Sequence, residues 1–215
     1  FLCWEKDDVY ALGLNYPVNI MGYPHQPFTF LDDIIPSGAS RRYWVQHLGI
    51  GRQPENQQNY TLLQRGTIAP IGNVRIKQAV PPEAATRHFQ AAEAINRQAD
   101  FLEYAQEHGA IAGGATGAGG EAPKLLLRQT PSGEIWIDNQ QDGTSADAYY
   151  LVKYPRNQRT PIDCDILRAE FHFYHALAAL GFASMDVAQM KLEEGERYPS
   201  LWLPRFDVAQ AQGQT

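Results

Sequence analysis

Three features, met in one order along the chain, could do chemistry together. A glycine-rich run, Gly113 to Gly120 in GGATGAGGEAPKLLL, comes first. It is followed by a lysine in an apolar strand, Lys153 in YYLVKYP, and by a glutamate on the inner half of a helix, Glu170 in LRAEFHFYHALAALG. Glycines let backbone N–H groups approach phosphate oxygens with no Cβ in the way. A lysine buried in an apolar strand is costly unless an anion meets it. A carboxylate on the flank of the next helix can aim that lysine, and loop, lysine and glutamate together make an apparatus for gripping the phosphates of a nucleotide.

Each part has an ordinary reading of its own. Gly117-Ala118-Gly119 with Ala122 makes a GxGxxA pattern, which alone is weak. A dinucleotide loop of that pattern should open a helix, but Pro123 and KLLLR read as a strand. A Walker A loop needs GK followed by Ser or Thr, and Gly120 is followed by Glu121. A small-residue linker is the plain alternative. Lys153 alone reads as a strand-edge lysine reaching solvent, and Glu170 alone as a solvated helix glutamate. His172 and His175 stand at metal-ligand spacing but lack a carboxylate or thiol cluster, so they read as core or surface histidines and no metal site is assigned. Arg205-Phe206-Asp207 reads either as a connector whose backbone meets an adenine edge or as a strand end with an ordinary Arg–Asp pair.

The elements needed to position these groups are legible. A helix is expected at Gly38 to Leu48, then a short helix or turn in NYTLLQRG and a strand at Asn73 to Gln78. From Pro82 to Glu107, Ala85, Phe89, Ala92, Ile95, Ala99 and Leu102 recur at steps of three and four, which predicts one helix started by Pro81-Pro82 and ended by Gly109. Lys124 to Arg128 and Glu134 to Asp138 flank Thr-Pro-Ser-Gly as a hairpin. Tyr149 to Tyr154 is a third strand. Ile162 to Leu180 is a helix with Leu167, Phe171, Tyr174 and Ala178 on one face, capped by Thr160 and Pro161 and stopped by Gly181. Asp186 to Leu192 and Ser200 to Phe206 form a last hairpin. The expected fold is α+β: a mixed subdomain over residues 1–80, a connector helix over 81–108, and a kinase-like amino lobe over 109–215, with an antiparallel sheet and one long helix.

Bulk properties narrow the class. The 215 residues are 44% hydrophobic and 20% charged, an ordinary globular balance. A net charge of -6 supplies no basic field, which argues against direct contact with a nucleic-acid backbone. Cys3 and Cys164 fall in no paired or metal-ligand spacing, which fits a reducing, cytoplasmic compartment. No apolar stretch nears the roughly 20 residues of a membrane span. A chain opening at Phe1 and leaving on AQAQGQT reads as truncated at both ends.

Six segments in order resemble the HipA-like serine/threonine kinases of bacterial toxin–antitoxin systems. FTFLDDIIPSGASRRYWVQHLGI is similar to that family's amino-subdomain segment, with its "LP" turn and helix, and YTLLQRGTIAPIGNVRIKQ to the strand that follows. GGEAPKLLL resembles the GxQPKxxL loop, YYLVKYP the strand lysine, AEFHFYHALAALGF the helix glutamate followed by "LGL", and LPRFDV the hinge "ERFDR". The resemblance implies that Gly119, Gly120, Glu121, Ala122 and Lys124 line the phosphates of ATP. It implies that Lys153 contacts them, Glu170 orients Lys153, and Pro204, Arg205 and Phe206 border the adenine. Thr116 stands nearest to the family's autophosphorylated serine, one place off the alignment. Ala122 replaces the usual glutamine and Val208 the usual arginine. The implied activity is transfer of the γ-phosphoryl of ATP to a protein substrate. Mg2+ would be held in a carboxyl-terminal lobe that this chain lacks, so the fragment alone should transfer nothing. An antitoxin-like DNA-binding protein is the implied partner, and a non-enzymatic module that pairs with such a partner is the alternative.

Overall fold

The computed structural model describes residues 31–32, 34–70, 76–79, 87–107, 123–138, 146–156, 158–182, 184–206 and 208. The chain divides into two compact units, Phe1–Asp33 and Ile34–Thr215, and the architecture below is that of the second.

Helix α1 (Gly38–His47) starts at a glycine with φ 55, and helix α2 (Glu55–Arg65) follows Pro54. Ile35, Trp44, Ile50, Leu62 and Ile68 make a small core between them. α2 is longer than the short helix or turn expected, because the polar residues ahead of NYTLLQ are its first turn and need bury nothing. Lys77–Ala79 form a 3-10 turn, not the end of a strand. The rest of the strand expected at Asn73 to Gln78 lies largely outside the described residues.

The single helix expected over Pro82 to Glu107 is two helices, α3 (Ala91–Ile95) and α4 (Ala99–Glu107). Arg97, between them, takes φ 52, a left-handed conformation that no helix interior accommodates. Phe89 is extended instead, exchanging both backbone hydrogen bonds with Ile135 at 2.8 Å. The three-and-four spacing reflected burial on one side, but the residues that bury are Phe89, Ala94, Phe101 and Ala105, drawn from a bridge and two short helices.

Strands β1 (Lys124–Gln129), β2 (Ile135–Ile137), β3 (Ala148–Lys153), β4 (Lys191–Glu194) and β5 (Pro199–Pro204) form one antiparallel sheet in the order β2-β1-β3-β5-β4. Helix α5 (Pro161–Ala179) connects β3 to β4. Alternation along the strands sends Leu125, Leu127, Tyr150, Val152 and Trp202 toward α3 and α4. Leu151, Leu201 and Leu203 go the other way, to pack with Leu167 and Met190 beneath α5. The fold is α+β, a sheet covered by helices on both faces. The expected first hairpin, third strand and long helix fall within a residue or two of their observed bounds, whereas the strand expected at Asp186 to Leu192 begins only at Lys191, because residues 187–189 turn, with the Met190 N–H donating to the Val187 carbonyl.

Candidate functional site

Lys124 and Lys153 face one another across the β1–β3 ladder, so their side chains leave the same face of the sheet. That is the face covered by α5. Thr160 caps this helix by accepting from the Asp163 backbone N–H at 3.2 Å, and Pro161 takes the first turn, where no N–H partner is needed. Counting on from that start at 3.6 residues per turn puts Glu170 on the flank between the sheet-facing residues and solvent. There its carboxylate accepts from Lys153 Nζ at 2.5 Å. The two side chains are 20% and 26% exposed, neither dry nor freely solvated.

Lys124 is buried. Burial first, and the neighbouring Lys153 ammonium second, hold its amine below the ordinary lysine range, with Glu170 opposing. Lys124 and Lys153 thus set two ammoniums side by side on one face of the sheet, with the Glu170 carboxylate on Lys153, an arrangement that can meet an anion. Phosphate oxygens are the chemistry that suits it.

α5 is held to the sheet from its far side as well. Arg168 donates to both carboxylate oxygens of Glu194 on β4, at 2.7 and 2.8 Å, and to Asp165 at 2.8 Å. The Arg168 hydrogen bonds hold the Glu194 carboxyl below its usual range.

Pro204, Arg205 and Phe206 lie at the other end of the β3–β5 ladder. Pro204 pairs with Tyr150, and the Arg205 N–H donates to the Tyr149 carbonyl at 2.9 Å. Four residues of strand separate Tyr149 from Lys153, about 13 Å. Pro204, Arg205 and Phe206 line a cavity of about 340 Å³ with Tyr149, Ser184, Met185 and Asp186. Arg205 pairs with Asp138, at the end of β2, both side chains buried. Phe206 is 91% exposed. Gly119, Gly120, Glu121, Ala122 and Thr116 lie outside the described residues.

The sequence reading missed Asp138, whose partner is 67 residues away. It also missed a buried group in which the Asp147 carboxylate accepts from Arg128 at 3.1 Å and from the Trp136 indole at 2.8 Å. There the guanidinium lies over the Trp136 and Tyr149 rings. Arg128 in KLLLR and Asp147 in SADAYY are charged residues at strand ends, which ordinarily means solvent. Among the described residues no group of three or more His, Cys, Asp or Glu could hold a metal ion, and no helix is long and apolar enough to cross a membrane.

A five-stranded antiparallel sheet with one long helix set over a lysine–glutamate pair defines the class: an α+β protein resembling a kinase amino lobe. Among solved structures, the chain is similar to HipA in the Shewanella oneidensis MR-1 toxin–antitoxin complex of HipA, HipB and operator DNA. The TM-score is 0.54 and the identity 20%, over 87% of this chain and 40% of that one. The fold is therefore HipA-like, and the chain spans well under half the length of that neighbour. No protein-family model matches the sequence, and no curated protein matches it.

Proposed function

We propose that this chain is the amino-terminal part of a HipA-like, ATP-dependent serine/threonine protein kinase, the cytoplasmic toxin of a toxin–antitoxin pair. The Lys153–Glu170 ion pair between β3 and α5 carries this reading. In phosphoryl transfer the protein mainly positions groups and offsets charge. Lys153 and Lys124 would hold the phosphates of ATP, Glu170 would keep the Lys153 ammonium on the β3 side of the site, and the loop from Gly119 to Ala122 would offer backbone N–H donors. Pro204, Arg205 and Phe206 would border the adenine, about 13 Å along β3 from the lysines. Thr116 remains the candidate for autophosphorylation. Mg2+, when bound, supplies charge neutralisation between phosphates, and its ligands are assigned to a further lobe together with the catalytic aspartate.

The test uses the full-length protein. Transfer of the γ-phosphoryl of ATP to protein serine or threonine is measured with magnesium present, for wild type and Lys153→Ala. A loss of at least about 100-fold with an unchanged thermal melt is expected; undiminished transfer by the variant would sink the proposal.

A second reading has its own support in the fold neighbour, which was solved with HipB and operator DNA. In that reading the chain is a binding module without catalysis that pairs with an antitoxin-like DNA-binding protein. An acidic chain would meet such a protein, not the DNA. Partner capture by both wild type and Lys153→Ala, with no transfer by either, would favour it.

A further inference from the structure

Helix α5 has two apolar faces, and only one is used by the sheet. Cys164 and Leu167 are buried and Phe171 and Tyr174 half-buried against the strands. On the opposite side Ile162, Ile166, Ala169, Phe173, Ala176 and Leu180 are all exposed. The large ones are far out: Ile162 is 72%, Phe173 70% and Leu180 73% exposed. Their spacing is 4-3-4-3-4. At 100° per residue all six fall within about 40° of one line, the narrow seam of a coiled coil and not the broad face of a helix lying on a core.

A seam with a 3.5-residue period is shaped for another helix, and the sizes along this one say which helix. Set against a copy of itself in the antiparallel sense, the six residues form layers of Ile162 with Leu180, Ile166 with Ala176, and Ala169 with Phe173. Each layer then recurs by the two-fold axis. In the two central layers a large side chain meets a small one, as interdigitated packing requires. The parallel sense would instead stack Phe173 on Phe173 and leave Ala169 and Ala176 facing their own copies across voids. With Phe182, 62% exposed just beyond the helix, the seam offers on the order of 700 Å² per copy. The pair would bury roughly 1,400 Å², inside the range of stable protein–protein interfaces.

We infer that α5 is a self-association surface, and that the protein pairs with a second copy through an antiparallel, two-fold contact of its α5 seams. The inference does not depend on the nucleotide reading, because mass and geometry report it without ATP. Pairing would place the helix that carries Glu170 at the centre of the dimer.

The experiment uses full-length protein. Sedimentation or light scattering at micromolar concentration should give a dimer for wild type and a monomer for Phe173→Glu; the exposure of this position leaves the fold intact. Chain sense is read by cross-linking with a short bismaleimide, in a background with Cys3 and Cys164 changed to serine. A mixture of Ile162→Cys and Leu180→Cys proteins should cross-link, and neither should cross-link alone, because like positions stand about 27 Å apart in the antiparallel pair. A wild-type monomer overturns the inference, including one whose α5 seam is protected from hydrogen exchange by another helix of the same polypeptide. So does a dimer that survives Phe173→Glu, or one in which Ile162→Cys links to itself.

Discussion

Lys153 and Glu170 are individually ordinary residues, and what distinguishes them is a 2.5 Å contact between elements 17 residues apart. The Arg128–Asp147–Trp136 group is a different kind of case. It is drier than the lysine–glutamate pair, with side-chain exposures of 0% for Arg128 and 7% for Asp147, and its role is to hold β1, β2 and the start of β3 in register. Breaking a buried pair by removing one partner leaves an uncompensated charge. Arg128→Met should therefore lower unfolding stability by about 3–5 kcal/mol, whereas Trp136→Phe, which removes only the indole N–H, should cost about 1 kcal/mol. Urea denaturation measures both, and equal effects would contradict the assignment. The lysine in YYLVKYP and the glutamate in LRAEFHF were legible because each breaks an apolar pattern. Asp138 and Asp147 were not, since their burial is decided by partners remote in sequence.

At the scale of the element, α5 was read almost whole from its punctuation. Thr160 and Pro161 start it, and Gly181, at φ 80, ends it. The Thr160 hydroxyl, and next its backbone N–H, donate to the Asp163 carboxylate at 2.7 and 3.0 Å and hold that group below the usual aspartate range. The sign follows from the direction of this shift. A folded-state value below the unfolded one stabilises the protein above about pH 4, and that contribution is lost as pH falls through the folded-state value. Asp163→Asn should thus flatten the acid limb of a stability–pH curve while changing its neutral plateau less, as thermal melts taken from neutral pH downward would register. An unchanged acid limb would mean that the cap does not titrate with folding. The segment over Pro82 to Glu107 shows the opposite case. Its periodicity was real, but a helical period reports which residues share a side, not whether the backbone between them is continuous. Arg97 in its left-handed conformation and the Phe89–Ile135 bridge are tertiary outcomes.

At the scale of the whole molecule, the β3–β5 ladder places the lysine cluster at one end and the Pro204–Phe206 segment at the other. A ligand that reaches both must be elongated, with an anionic end at Lys124 and Lys153. If that ligand is ATP, binding to the folded state alone adds stability by mass action, about 2.7 kcal/mol at a hundred times Kd. The full-length protein with ATP and magnesium should show a rise in Tm, and Lys153→Ala should lose most of it. A rise of equal size in the variant would place nucleotide binding elsewhere. The surface of α5 adds a second organising feature, since the helix that aims the lysine also presents an apolar seam outward.

The sequence by itself determined most strands of the sheet, the long helix with its cap and stop, and the succession of strand lysine and helix glutamate. These depend on local rules: alternation, turn chemistry and helix-terminus hydrogen bonding act within a few residues. Only the tertiary structure decided that Lys124 stands beside Lys153, that Arg205 turns to Asp138, that α3 and α4 are separate, and that one apolar stripe of α5 is covered while the other is not. Those outcomes depend on strand register and on which surfaces meet across the sheet. Energies of that kind arise between residues tens of positions apart, and no local pattern encodes them.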